Sequence, residues 1–240
     1  MERRDSLDLG DLHADVVRKP IKHVHLSVYP PHGRVRISAP ENMALETIRL
    51  YAITKLVWIK RQQCKILEQE RETPREYLDR ESHYVWGKRY LLKVVPTPGA
   101  SSIKLKHSTL ELHSRPGSSE SRLAEILEAW YREQTKSAVS ELLDKWQPII
   151  GVRAGRLHVQ RMRTKWGSCN PKTGLIRLNT DLAKKPPQCL EYILVHELTH
   201  LLEPSHNARF QGLLDGFMPQ WRQVKSELNR LPVRHEDWDY

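Results

Sequence analysis

Apolar and polar residues alternate with period two over residues 21–30 (IKHVHLSVYP) and 33–40 (GRVRISAP), on either side of the turn signal Pro30-Pro31-His32-Gly33. Alternation of this kind puts one apolar face on a sheet, so a β-hairpin is predicted. Over residues 43–70 the period changes: Leu45, Ile48, Leu56, Trp58 and Ile59 recur at helical spacing, and a charged run, Glu68-Gln69-Glu70-Arg71-Glu72, closes the segment. Residues 83–95 and 102–113 read as further strands, bounded by Pro96-Thr97-Pro98-Gly99 and by Arg115-Pro116-Gly117-Ser118-Ser119. An amphipathic helix is predicted from Ser121 to Lys145, with Leu123, Ile126, Leu127, Trp130, Val139, Leu142 and Leu143 on one face. Ser118 or Ser119 would cap it and Pro148 would stop it. The last block reads as a strand at 156–162, a turn, a strand at 174–180, a helix over 188–203 and a final helix over 219–230.

No internal repeat or low-complexity segment is visible. The element order predicts an α+β protein in five parts. These are a flexible N-terminus (1–20), a β-rich region with one helix (21–118), a connecting helix (119–147), a C-terminal domain (148–232) and a short tail (233–240).

The chemistry concentrates in His196-Glu197-Leu198-Thr199-His200, inside a run of strong helical propensity. Residues four apart on a helix stand one turn above each other, so His196 and His200 can direct their rings at one ion. Glu197 lies about 100° further round, where its carboxylate reaches a metal-held water rather than the metal. Leu190, Ile193, Leu194, Leu198 and Leu201 fill the rest of the helix, and burying two imidazoles and a carboxylate among them without partners would cost several kcal/mol. His206 follows six residues after His200, just past Pro204, and is the expected third ligand. Three imidazoles with one open position match a catalytic zinc site, with one Zn2+ per chain. Glu203 is the competing ligand, with its favoured place outside the metal shell. His23, His25, His83, His107, His113 and His158 sit in strand-like segments and are not needed, and Met218 reads as a core methionine.

The expected mechanism is hydrolysis of a peptide bond. Zinc would lower the pKa of its water toward about 7 and polarise the carbonyl. Glu197 would act as general base and then return the proton to the leaving amine. Asn207 or Arg209 would supply the substrate or oxyanion contact.

Composition narrows the setting. No stretch approaches the roughly 20 apolar residues of a membrane span, and the N-terminal residues lack the apolar core of a secretory signal. No membrane partner is therefore expected, and the cytoplasm is the expected location. The three cysteines (Cys64, Cys169, Cys189) form no C-x-x-C pair and no disulfide framework. The net charge is +10, divided evenly between residues 1–146 and 147–240, which leaves nucleic acid as an open partner without a motif.

Arg163-Thr164-Lys165-Trp166-Gly167-Ser168-Cys169, then Gly174 to Asn179, then Tyr192 to Leu201, then Ser205-His206 and Phe210, closely resemble the YgjP-like family of zinc metallopeptidases, which is similar to the SprT and WLM proteases. The resemblance implies a compact zincin-like catalytic domain, with His196, His200 and His206 on zinc and Glu197 catalytic. Beside it, the strand at 174–180 reads as an edge on which an extended peptide could lie, with 163–169 as the turn before it. Trp166 would be a packing anchor and Asn179 would fix the strand-to-helix turn. Cys169 reads as a structural thiol, a thiolate on the metal being the alternative. A competing reading is a DNA-associated SprT-like protease, or a basic DNA-binding module with a structural zinc. Its discriminating observation is a salt-dependent affinity for DNA.

Overall fold

The computed structural model describes residues 4–30 and 32–233. The chain divides into two compact units, residues 1–72 with 232–240, and residues 73–231.

In the first unit, the expectation of a flexible N-terminus over 1–20 is corrected for its described residues, 4–20. Arg4–Asp8 (β1) and His13–Lys19 (β2) are paired antiparallel strands. Their alternation is masked by charges on the outward positions, yet Leu7, Ala14 and Val16 are buried, and Asp5 and Asp15 pair with Arg18 and Arg34. The predicted hairpin forms as His25–Tyr29 (β3) and Arg34–Pro40 (β4), and the sheet order is β1-β2-β4-β3. The helical segment is broken at Lys55 into Leu45–Thr54 (α1) and Leu56–Glu68 (α2), and Ile48, Ala52 and Ile59 close the core of this unit.

The second unit begins with Ser82–Val85 (β5), Lys88–Pro96 (β6), Ser102–Leu105 (β7) and Thr109–Ser114 (β8), in the order β5-β6-β8-β7. This sheet repeats the plan of the first. Both have an outer antiparallel pair, a parallel central pair and a second antiparallel pair, and a helix follows. The chain therefore does contain a structural repeat. Its sequence hides it because strand order and pairing sense, not residue identity or the burial of each position, are shared between the copies.

The helix after β8 runs from Glu120 to Ile150 (α3), capped by the Ser119 hydroxyl, which accepts from Arg122 N–H. Pro148 does not stop it. A proline removes one helical hydrogen bond, and the actual terminator is Gly151, whose left-handed φ of 75° lets its N–H close back on Gln147 O. Leu123, Leu127 and Tyr131 bury against the β5–β8 sheet, while Val139, Trp146 and Ile150 bury against the C-terminal block. Glu191 accepts from both Lys145 Nζ and Trp146 Nε1, which fixes the long helix beside the histidine-bearing one.

That block contains Arg156–Gln160 (β9), Gly167–Asn170 (β10) and Leu175–Asn179 (β11), then a 3-10 turn at Thr180–Lys184. Three helices follow, Pro187–Thr199 (α4), Ala208–Phe217 (α5) and Trp221–Arg230 (α6). The sheet order is β10-β11-β9, with β10–β11 antiparallel and β11–β9 parallel. Two expectations are corrected here. The strand near 174–180 is central, not an edge, and part of the predicted turn at 163–169 is itself the edge strand β10. Ile176 and Leu178 are fully buried, as a strand with neighbours on both sides requires. The fold is mixed α+β, and none of the described helices is long and apolar enough to cross a membrane.

Candidate metal centre

Helix α4 is the spine of the site. Cys189, Leu190, Leu194, Val195 and Leu198 are at most 1% exposed, so the helix is anchored on almost every side. Against that anchor its remaining face holds His196 and His200 one turn apart, with Glu197 beside them. After Thr199 the chain turns at 203–206 and returns His206 to the same point. The candidate ligand nitrogens of His196, His200 and His206 all lie within 4.8 Å of one another.

Each ring is held. His200 Nδ1 lies 3.1 Å from the backbone carbonyl of Glu203, which leaves Nε2 for the centre. His206 Nε2 stands 2.9 Å from His196 Nε2. Two nitrogens at tetrahedral positions on one zinc ion would be about 3.3 Å apart, so the spacing is close to that of shared coordination. Phe210, from the first turn of α5, wedges among all three imidazoles with centroid distances of 4.9, 4.6 and 4.8 Å. Asn207 caps α5 by accepting from Phe210 N–H at 3.0 Å, so the helix that delivers this wedge starts where the ligand loop ends.

Among the described residues, two buried polar atoms of this cluster have no hydrogen-bond partner, His196 Nδ1 and Glu197 Oε2. Desolvation, then the neighbouring His200, His206 and Lys225, push His196 down to about 3. Desolvation also holds His200 below the ordinary imidazole range. Rings kept neutral in this way are ready-made ligands. Desolvation pushes Glu197 up to about 8, with Lys165 opposing it. An orphaned carboxylate beside three converging nitrogen donors is what a cation would satisfy, so the residues fit a bound metal.

These shifts predict a pH-dependent stability in metal-stripped protein. A carboxyl whose folded pKa lies above its unfolded value destabilises the fold progressively as pH rises from about 4.5 to about 8. Relative to Glu197→Gln, the metal-stripped chain should therefore lose up to about 5 kcal/mol across that window. Urea melts of both proteins at several pH values check this, and a difference independent of pH contradicts it.

Gly167 controls the approach of β10 to this carboxylate. A Cβ there would sit 2.7 Å from Glu197 Oε1 and 2.9 Å from Ile193 Cγ2. Gly167→Ala is expected to force Glu197 and Ile193 aside and to destabilise by about 1–3 kcal/mol. A thermal melt of the variant that matches wild type would contradict this close packing.

A cavity of about 390 Å³ opens beside the cluster. Its walls are Trp166, Tyr192, Ile193, Phe210, Trp221 and Leu228, with Lys165, Lys225 and Gln211 adding polar groups, and His196, Glu197 and His206 open onto it. Tyr192 is buried, stacks on Trp221 and meets His196 edge-on, and burial and Glu197 push its hydroxyl up to about 12. Sequence reasoning missed Tyr192, Trp221 and Lys225 as site residues. Only Tyr192 carried a signal, since its place four residues before His196 puts it on the ligand face.

The other predicted residues fall as follows. Trp166 packs on the core and also lines the cavity, as do Lys165 and Gly167. Asn179 Oδ1 accepts from Asp181 N–H while its Nδ2 donates to Met162 O and Lys165 O, pinning the loop before β10 to the end of β11. Cys169 is half-buried on β10 outside the ligand cluster, and burial, then Glu197, push its thiol up to about 11. Ser168 lies on the same strand, opposite Arg177, and Arg163 is exposed in the preceding loop. Asn207 and Arg209 do not line the cavity: the first caps α5, and the second is exposed, with its nearest carboxylate at Glu203. Glu203 stays out of the cluster, its carboxylate accepting from Ser205 N–H. Met218 is a buried core residue.

A family model described as YgjP-like, metallopeptidase domain, matches residues 22–231. No curated protein sequence matches the chain. Two solved structures with similarity are metallopeptidase zymogens. Abylysin of Pyrococcus abyssi is 23% identical, covering 40% of this chain and 99% of its own, with a TM-score of 0.35. Jannalysin of Methanocaldococcus jannaschii is 22% identical, covering 39% and 92%, with a TM-score of 0.33.

Proposed function

The chain belongs to the YgjP-like metallopeptidase family, and from that membership we propose that it is a zinc-dependent peptidase with Glu197 as its general base. The observation that carries the proposal is the convergence of three imidazoles, two from one turn of α4 and one from the loop behind it, beside an unpartnered carboxylate.

His196, His200 and His206 would hold the ion, and an all-nitrogen set of three favours zinc over harder cations. When bound, the ion lowers the pKa of its water to about 7 and polarises the scissile carbonyl. Glu197 supplies the proton transfers: its carboxylate takes a proton from the attacking water and delivers it to the departing amine nitrogen. Its buried position suits it to that role, because a carboxylate stripped of water is a stronger base than an exposed one. Without a cation nearby, desolvation favours the protonated form of Glu197.

The substrate would lie along β10, which has β11 on one side only and offers its other edge for backbone pairing. The small Gly167 keeps that edge close to Glu197, and Asn179 holds the loop that precedes it. Trp166 and Trp221 provide apolar walls for a substrate side chain. Cleavage of a quenched fluorescent peptide library by zinc-loaded protein, abolished by chelation and restored by zinc, tests the proposal. Library peptides left intact by fully zinc-loaded protein would reject it.

A further inference from the structure

Divided at residue 147, the positive charge looks even, but from Arg153 to Arg177 there are seven Lys or Arg residues and no Asp or Glu. This stretch builds β9, the loop before β10, β10 itself and β11. Arg153, Arg156, Lys165 and Lys172 are exposed along it. Arg177 stands in register between Ser168 on β10 and His158 on β9. Side chains alternate across a sheet, and Ile176 and Leu178 point into the core, so Arg177 points to the opposite, outer face.

The cavity carries the same sign. Lys165 lines one wall and Lys225, from α6, lines another, while Glu197 is the one carboxylate among its lining residues. No carboxylate lies within ion-pair distance of either lysine among the described residues, and the Lys225 ammonium rests over the Trp221 ring at 5.6 Å. Lys165 acts on Glu197 only at longer range and Lys225 has no close carboxylate, so both cations are available to a ligand, and aromatic walls with low polarity strengthen each such contact.

We infer that the cleft selects peptides with acidic side chains on both sides of the scissile bond, with Lys165 and Lys225 reading the cavity-facing positions and Arg177 the outward-facing ones. The inference rests on the peptidase reading and names its substrate class. An extended chain on β10 sends alternate side chains to the two faces of the sheet. One set therefore meets the two lysines and the other meets the outer face around Arg177. The location favours a peptide over a nucleic acid, since two of the cations line a cleft of about 390 Å³ that admits side chains but not a duplex.

The test uses full-length, zinc-loaded Glu197→Gln protein and fluorescein-labelled peptides carrying Glu, Gln or Lys at the same alternate positions, with binding read by anisotropy. The Glu peptide is expected to bind about ten-fold more tightly than the Gln peptide at low salt and to lose most of that margin at high salt. The double substitution Lys165→Glu with Lys225→Glu, both exposed and compatible with folding, should reverse the order in favour of the Lys peptide. Equal binding of the Glu and Gln peptides, or a preference that survives charge reversal, would overturn the inference. So would a single-stranded DNA that displaces the Glu peptide at lower concentration with the same lysine dependence. The parallel readout is turnover by wild-type protein. Binding preference without turnover of any peptide rejects the peptidase reading alone, whereas turnover without preference rejects only the charge selection.

Discussion

Replacing Glu197 by Gln should leave one metal ion per chain and lower peptide turnover by about three orders of magnitude. The substitution keeps the volume and most of the shape of a side chain that is 5% exposed and pressed against Gly167. It removes the one property the mechanism requires, a group that accepts a proton and gives it back. General acid–base contributions of about 10²–10⁴ set the size of the effect. The effect should fall on kcat rather than KM, because in the proposed mechanism Glu197 acts on the attacking water and not on substrate affinity. Steady-state kinetics alongside metal analysis decide the matter. Turnover near wild type would remove Glu197 from the chemistry, and loss of the metal would make it a ligand.

The second large effect belongs to the ligands. His206→Ala should weaken metal binding by at least about a hundred-fold, beyond the 10–100-fold typical of a residue that only orients a ligand. His206 is the better choice than His200, because it is exposed and its loss leaves no hole in the core. His200→Ala should lose the metal as well and also destabilise the fold, since His200 is 8% exposed and packs on Phe210. Metal titration and the shift in melting temperature on adding zinc separate the two results. Wild type should gain stability with zinc, and His206→Ala should not. Undiminished zinc affinity in His206→Ala would leave the centre with two histidines and no third ligand of the expected kind.

Some of this was legible in the sequence and some was not, for identifiable reasons. The spacing of His196, Glu197 and His200 on a helical run is local information, and Pro204 with His206 extends it by one loop. Strands β3, β4 and β11 carry their own periodicity and were readable in the same way. Strand β10 was not, because Gly167, Ser168, Cys169 and Asn170 have no alternation. They become a strand only when β11 supplies hydrogen-bond partners. Helix α5 was missed because Gly212 and Gly216 weaken its helical signal. Its cap, Asn207, looked like a residue free for substrate. The cavity walls from α6, Trp221 and Lys225, reach the site through tertiary packing that no spacing rule encodes. The doubled sheet plan was invisible for a related reason. Two segments of quite different residues adopt one strand order, with Ile48 and Ala52 closing the first copy and Leu123 and Leu127 the second.

The position of a bound metal ion decides the proposed chemistry, and anomalous diffraction at the zinc edge from crystals of the zinc-loaded protein locates it most directly. The expected result is a single strong peak within about 2.0–2.1 Å of one ring nitrogen from each of His196, His200 and His206, with its fourth position facing the cavity. A peak elsewhere, or a protein side chain filling that fourth position, would contradict the account.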